Sequence, residues 1–332
     1  CHNYICIFTF CKIKNKTVKI NILNKTYENK YFFLINPNAG NSEGEREWDN
    51  VLEVINKNNL DFDFAFTEYI GHAEEIVLEQ IKIGHRNFII LGGDGTLNEV
   101  TNAVLKQNEV NSQEISLGII QMGTGNDWSK YYKFDNDYQK AIDRFKSKNT
   151  KFQDVGVIKY KADNEDKKAY FINIAGFCFD SVVVKATNQM KERGKRTNLA
   201  YMINLLKSLI TYKPWELKIH INDEILEGKF LSISIGNGKF SGGGMIQTPD
   251  AIIDDGWLNV TIYKNMPKFK IVTNVRRLYD GSIGKVKGVR MFKTKKFFIE
   301  ADQDIFVETD GEIIDYAPYE ISIIPQAIKV FV

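Results

Sequence analysis

Cysteine and proline are scarce in this chain and no long apolar run occurs, and each shortage excludes something. Four cysteines are spread over 332 residues, Cys1, Cys6, Cys11 and Cys178. They form no CxxC pair and no histidine stands at zinc spacing from them, which argues against a zinc site or a disulfide scaffold. The first three recur every five residues, a period that fits neither a strand face nor a helix face. Reduced, unpaired thiols are expected, as in a reducing, cytoplasmic compartment. The apolar run at residues 4–10 is too short to span a bilayer. It has no basic segment before it and no small-residue cleavage site after it, so it does not read as a signal peptide. The chain begins at Cys1 and not at Met, so its true start is uncertain and residues 1–28 are set apart as an N-terminal extension without an assigned role. Charge of one sign is lacking too. Lys and Arg number 44 against 42 Asp and Glu, a net charge of +2, and this excludes a general nucleic-acid binder.

What is present is hydrophobic patterning. At 43% hydrophobic residues the chain can bury cores of ordinary size, and its length exceeds one typical core, so two domains are expected. Between residues 31 and 145, short apolar runs alternate with helical stretches. Strands are expected at 31–35, 62–66, 88–91 and 116–121, and helices at 45–55, 73–83, 96–106 and near 128–132. That order implies a parallel sheet with helices on both faces. Beyond about residue 151 the texture changes. Residues 216–221 and 229–235 alternate with period two around Asn222-Asp223-Glu224. Further strands are expected at 256–263, 296–300, 305–308 and 320–324, with one helix at about 198–211. The expected architecture is an α/β N-terminal domain with a parallel sheet (29–148), then a β-rich antiparallel, sandwich-like domain (149–319). A cleft between them is the natural ligand site.

Three glycine turns each follow a strand and precede a helix: Asn36-Pro37-Asn38-Ala39-Gly40, Gly92-Gly93-Asp94-Gly95-Thr96 and Gly123-Thr124-Gly125-Asn126-Asp127. In a parallel sheet all three face one crevice. Glycine lets backbone N–H groups approach a phosphate, and a helix N-terminus adds partial positive charge. Asp94 and Asp127 would repel a triphosphate unless they serve Mg²⁺ or a ribose hydroxyl. One such turn is ordinary punctuation; three on one edge favour a nucleotide. Neither a Walker A sequence nor the dinucleotide fingerprint is present. For Asp94 the structural alternative is a cap on the helix that starts at Thr96. For Glu312 it is a solvated residue after an Asp310-Gly311 hairpin turn, and for Asp255 a turn residue before Gly256. His72 and His85 lack metal-spaced partners and are expected at the surface or as caps.

These segments resemble the diacylglycerol kinase catalytic-domain family, bacterial lipid kinases together with sphingosine and ceramide kinases. The likeness rests on Leu34 through Gly40, on Gly92-Gly93-Asp94-Gly95-Thr96-Leu97-Asn98-Glu99-Val100 and on Gly123 through Asp127. It continues in Phe171 through Asp180, in Gly242-Gly243-Gly244 through Pro249, in Asp254-Asp255-Gly256-Trp257-Leu258 and in Asp310-Gly311-Glu312. The resemblance implies a nucleotide domain completed by about residues 320–332, with a β-rich domain over the cleft. It implies ATP contacts at Asn36, Pro37, Asn38, Ala39 and Gly40, at Thr67, at Gly93, Asp94, Gly95, Thr96, Leu97, Asn98 and Glu99, and at Thr124. It implies a structural Mg²⁺ held by the Asp255 side chain and the carbonyls of Ile252 and Trp257, and Glu312 as the catalytic base, with Asp94 on the ATP–Mg²⁺ side. Two departures stand out: Cys178 occupies a place where the family usually has Gly, and Gly281-Ser282-Ile283-Gly284-Lys285 lacks a histidine often found there.

The expected activity is ATP-dependent phosphorylation of a lipid hydroxyl, with diacylglycerol as the first choice of acceptor. The rivals are an NAD kinase, which shares Gly-Gly-Asp-Gly, and a non-catalytic nucleotide-binding module. Two basic stretches could meet a membrane peripherally. Lys185, Lys191, Arg193, Lys195 and Arg196 lead into an apolar helix at 199–210. Arg276, Arg277, Lys285, Lys287, Arg290, Lys293, Lys295 and Lys296 cluster with Leu278, Ile283 and Met291. A homodimer is left open by the sequence.

Overall fold

The structure, a computed structural model, describes residues 12–13, 16–17, 27–42, 44–122, 125–192 and 208–332. Strands β1 (Tyr31–Ile35), β2 (Phe62–Phe66), β3 (Asn87–Gly92) and β4 (Ser116–Gln121) form a parallel sheet in the order β2-β1-β3-β4. Helices α1 (Gly44–Lys57), α2 (His72–Ile83) and α3 (Asp94–Lys106) connect them, and α4 (Asp127–Tyr132) and α5 (Tyr138–Ser147) follow. β1, β3 and β4 read as largely apolar runs because both faces are covered, while the edge strand β2 carries Asp63 and is only partly buried. Phe32, Leu34, Phe88, Ile90 and Leu117 pack on the α2 and α3 side. Tyr31, Phe33, Ile35, Ile89 and Leu91 pack against α1 and α5 through Trp48, Val51, Ile142 and Phe145.

The second half is antiparallel. A hairpin of β5 (Thr150–Ala162) and β6 (Glu165–Phe171) leads to β7 (Ile174–Cys178) and helix α6 (Phe179–Glu192). Strands β8 (Trp215–Ile221) and β9 (Glu224–Gly236) pair across a two-residue Asn222-Asp223 connection. Then come β10 (Leu258–Lys264), helix α7 (Lys268–Asn274), β11 (Val289–Thr294), β12 (Lys296–Glu300), β13 (Val307–Thr309), β14 (Glu312–Ile314) and β15 (Pro318–Phe331).

The last strand joins the two halves. β15 lies antiparallel to β12 and β5, and at its end Lys329 and Val330 pair in parallel with Ser116 and Leu117 of β4. One 15-stranded sheet therefore runs from β14 to β2. Val155, Val157, Tyr170, Ile172, Ile328 and Val330 share a core with α2 and α3, so no solvated linker separates the halves.

Several expectations change. Helices α6 and α7 were not anticipated in the β-rich half. The run Val182-Val183-Val184 reads as strand because β-branched residues lower helix propensity, and tertiary packing overrides that weak preference. Most of the helix expected at 198–211 lies outside the described residues, as do Arg193, Lys195 and Arg196; residues 208–211 are helical. His85 is not at the surface: it is 1% exposed, its Nε2 stands 3.3 Å from Asp63 Oδ2, and its ring packs beside Tyr27 and Phe32. His72 accepts a hydrogen bond from the Glu68 N–H at 3.0 Å and stacks on Tyr69. Cys178 is fully buried with φ 65°, a left-handed conformation in which glycine is the unstrained residue.

Candidate active site

The first two glycine turns meet at the carboxyl ends of β1 and β3. Asn36 N–H donates to the Leu91 carbonyl, and Asn36 Nδ2 donates to Thr96 Oγ1 at 2.9 Å. Its Oδ1 accepts from Asn38 N–H at 3.0 Å, which closes the turn, and Gly40 follows with φ 59°. A Cβ at Gly44 would lie 2.1 Å from the Asn36 carbonyl oxygen. Only glycine lets α1 begin there, a requirement the sequence motifs did not flag. Thr67 N–H donates to the Ile35 carbonyl beside the same turn. Of the third turn, Gly123 and Thr124 lie outside the described residues. Met122 N–H bonds the Gly92 carbonyl, so the turn starts beside the second one.

Asp94 does not cap its own helix, whose N-cap is Gly93. Its Oδ2 accepts from Asp127 N–H at 3.0 Å and its Oδ1 from Trp128 N–H at 3.3 Å, so it caps α4 and ties the second turn to the third. Burial is the largest influence on Asp94 and raises its pKa. Gly125 belongs to the same corner: a Cβ there would stand 3.5 Å from Asp94 Oδ2. Asn126 Oδ1 is buried beside it with no hydrogen-bond partner among the described residues.

From the other half, β13 and β14 deliver Glu312. Thr309 pairs with Glu312 across a two-residue turn in which Asp310 has φ 50° and Gly311 φ 95°, the geometry that suits a tight hairpin. The turn is pinned from every side. Asp310 Oδ1 accepts from Asn173 and Ile174 N–H at 3.0 and 2.9 Å. Its Oδ2 accepts from Ile172 N–H at 2.7 Å and from Asn98 Nδ2 at 2.8 Å. Gly311 N–H donates to Glu308 Oε2 at 3.0 Å, and Asn188 Nδ2 donates to the Gly311 carbonyl at 2.8 Å. So fixed, Glu312 Oε1 reaches 3.4 Å from the position a Cβ would take at Gly95, in the first turn of α3. Glu312 and the second glycine turn share one hollow.

Carboxylates crowd this hairpin. Glu308 is buried, and desolvation pushes its pKa well above the usual carboxylate range, with the Asp180, Asp310 and Glu312 charges adding to the shift. Burial raises Asp310 and Asp180 to about 6 each, although Asp310 accepts several hydrogen bonds and Asp180 accepts one from Ser234 Oγ. Glu308 carried no motif signal; only its position, buried two residues before the Asp-Gly turn, identifies it.

Other sequence-singled residues turn elsewhere. Leu97 is fully buried in the core. Asn98 spends its side chain on Asp310 and the Tyr170 carbonyl. Glu99 Oε2 accepts from Ala73 N–H at 3.2 Å, at the N-terminus of α2. A second bridge between the halves forms where Gly243 N–H donates to Asp127 Oδ2 at 2.8 Å, within a Gly242-Gly243-Gly244 run whose φ angles are all positive.

In the Asp-Gly loop both oxygens of Asp255 have partners. Asp255 Oδ1 accepts from Trp257 N–H at 3.0 Å, and Oδ2 is paired with Lys293 Nζ at 2.7 Å. The ammonium of Lys293 therefore stands beside the carboxylate that a Mg²⁺ would need, with Lys293 and Lys295 over the Trp257 ring. Ile252 is 44% exposed. As arranged, Asp255 Oδ2 is engaged by Lys293, so an ion held by Asp255 and the carbonyls of Ile252 and Trp257 would have to displace that ammonium. Among the described residues, no group of three or more His, Cys, Asp and Glu side chains is arranged to hold a metal. The second turn fits a phosphate: Gly95 leaves open the space a side chain would fill, next to leading amides of α3 that lack intrahelical partners, whereas the first amides of α4 are taken by Asp94. Two surface depressions lie elsewhere, one around Lys133, Arg144 and Val332 and one around His220 and Phe298, and neither contains a glycine-turn residue.

Comparison with known proteins agrees with this layout. Residues 30–158 match the diacylglycerol kinase catalytic domain, and residues 173–332 match the YegS C-terminal NAD kinase beta sandwich-like domain. A Bacillus subtilis (strain 168) protein named "Putative lipid kinase YtlR" is 27% identical over 312 residues, covering 90% of this chain and 98% of that one. A Klebsiella pneumoniae (strain 342) protein named "Probable lipid kinase YegS-like" is 25% identical, covering 87% and 92%. The fold is similar to that of a solved structure described as a putative diacylglycerol kinase from Bacillus anthracis str. Sterne. The TM-score is 0.70 at 21% identity, with 91% of this chain and 96% of that chain covered.

Proposed function

We propose that this chain, which belongs to the diacylglycerol kinase catalytic-domain family and carries the YegS-type C-terminal domain, transfers the γ-phosphate of ATP to a lipid hydroxyl. Diacylglycerol, giving phosphatidic acid, is the acceptor put forward. The names of its relatives support a lipid as acceptor. The observation that carries the reading is the approach of Glu312 Oε1 to within 3.4 Å of the Cβ position at Gly95. It supports a reading in which Glu312, as base, acts beside the N-terminus of α3, where the phosphates would bind.

In this reading the turn at Asn36–Gly40 and the first amides of α3 hold the phosphates, and Asp94 would serve the Mg²⁺ that accompanies ATP by exchanging a bond to the α4 amides for the ion. Glu312 takes the proton of the lipid hydroxyl as its oxygen bonds to the γ-phosphorus and the bond to the bridging oxygen of ADP breaks. The Asp310-Gly311 turn holds Glu312 in line while this happens.

Labelled ATP incubated with a lipid panel and with NAD, followed by organic extraction, tests the reading. Label is expected in the lipid phase. Label retained with NAD in the aqueous phase would identify an NAD kinase instead, and no transfer to any acceptor would identify a nucleotide-binding module. Glu312→Gln is expected to lower turnover by about 10²-fold or more while ATP affinity stays near that of the wild type.

A further inference from the structure

Helix α7 and the turn that continues it, Arg276–Tyr279, reverse the usual polarity of a surface helix. Val275 between them keeps helical angles, φ −53° and ψ −39°, so residues 268–279 follow one helical path. The inward arc is made by Ile271, Asn274 and Leu278, with Ile271 and Leu278 packed on the core. The outward arc should then be polar. It holds instead Phe269, Val272, Val275 and Tyr279, which are 72%, 52%, 38% and 51% exposed. Ile210, 69% exposed, lies alongside, because Lys268 Nζ donates to its carbonyl. The apolar residues that the sequence suggested for this region behave otherwise: Ile283 is buried and Leu278 faces the core.

Charge surrounds the stripe. From Gly256 to Lys296 there are eleven Lys and Arg and a single acidic residue, Asp280, although the whole chain is almost neutral. Arg290, Lys293 and Lys296 are paired with Glu224, Asp255 and Glu320. Lys268, Lys270 and Arg277 instead bond oxygens of Ile210, Lys287, Asn274 and Ser282, so their charge is not neutralised by those contacts. Arg276, Lys285 and Lys287 are exposed. The patch also adjoins the candidate site. A Cβ at Gly281 would meet Ile246 and Pro249 at 3.6 Å, just beyond the Gly242–Gly244 run whose Gly243 bonds Asp127.

We propose that the face formed by Phe269, Val272, Val275 and Tyr279, rimmed by Lys268, Arg276, Arg277, Lys285 and Lys287, docks on an anionic lipid bilayer. Apolar side chains that enter the headgroup boundary and cations that meet anionic headgroups are the two parts of interfacial binding. The charge complementarity selects a bilayer over an apolar protein partner. The inference rests on the lipid-kinase reading for its purpose, since docking here would bring the cleft to its acceptor.

The test is co-sedimentation with vesicles of equimolar phosphatidylglycerol and phosphatidylcholine, and with vesicles of phosphatidylcholine alone. Phosphate transfer to a short-chain diacylglycerol that stays monomeric in water is measured in parallel. The wild type is expected to bind the anionic vesicles. Phe269→Ser/Val272→Ser/Tyr279→Ser and Arg276→Glu/Arg277→Glu should each weaken that binding by at least about tenfold and leave transfer to the short-chain acceptor intact. Binding lost in both variants with no transfer by the wild type would uphold docking and overturn the kinase reading alone. Vesicle binding that is absent in the wild type, or equal in all three proteins, would overturn the docking surface whatever the transfer assay gives. So would a concentration-dependent dimer abolished by the serine variant without vesicle binding, which would assign the face to a second copy of the chain.

Discussion

Replacing Asp310 with alanine tests the pinned hairpin most directly. Its carboxylate accepts from the Ile172, Asn173 and Ile174 N–H groups and from Asn98 Nδ2. A hydrogen bond to a charged group contributes about 1.5–3 kcal/mol, so the gross loss is on the order of 6–12 kcal/mol. Two effects reduce it. The wild-type carboxylate carries a burial cost, which raises its pKa to about 6 in spite of these hydrogen bonds. Water entering the vacated space would also satisfy some of the donors. In the other direction, alanine at φ 50° adds about 1 kcal/mol of left-handed strain. The net expectation is about 3–5 kcal/mol, at the upper end for one substitution. Asp310→Asn, which tolerates the same backbone conformation, should cost about half as much. Urea unfolding followed by tryptophan fluorescence measures both. In surviving folded protein, turnover should fall at least about tenfold through misplacement of Glu312, with ATP affinity nearly unchanged. An alanine variant within about 1 kcal/mol of the wild type would refute the claim that this carboxylate holds the turn.

Further outcomes follow from the same geometry. Gly95→Ala puts a methyl group 3.4 Å from Glu312 Oε1 in a helix's first turn; stability should stay level or rise by up to about 1 kcal/mol while ATP binding and turnover fall, as melting and nucleotide titration would show. Glu308 is protonated more readily in the folded chain than in the unfolded one. Its contribution therefore makes stability fall as pH rises from the ordinary carboxylate range of about 4.3 toward its raised value. Glu308→Gln removes that titration, and its urea midpoint should depend less on pH than the wild type's. Gly156→Ala would drive a methyl group to 2.0 Å from the Phe171 ring, and a loss of about 3 kcal/mol or more is expected in the same unfolding assay. A chelator should leave the melting temperature of the wild type unchanged, because Lys293 neutralises Asp255. In Lys293→Ala, added Mg²⁺ should raise it.

Much was legible because it is local. Strands β1, β3 and β4 are largely apolar runs, and the glycine turns after β1 and β3 are visible as composition, so the four strands and helices α1 to α4 lie within a few residues of where pattern places them, whereas α5 was not anticipated. The same holds for the Asp310-Gly311 turn, which needs two residues able to adopt positive φ and announces itself as Asp-Gly. Helix α6 was not legible, since its valines prefer a strand when read alone.

What sequence by itself determined is the set of local conformations: where the chain runs straight, where it coils and where only glycine or a short polar residue can bend it. Tertiary structure alone decided the partners. It sent the Asp94 carboxylate to the neighbouring helix, gave Asn98 to Asp310, buried Glu308, set Lys293 against Asp255 and turned Phe269 and Val272 outward. The physical reason is range. Backbone preference acts over a few residues, whereas a carboxylate's partner and a side chain's burial depend on segments brought together from distant parts of the chain.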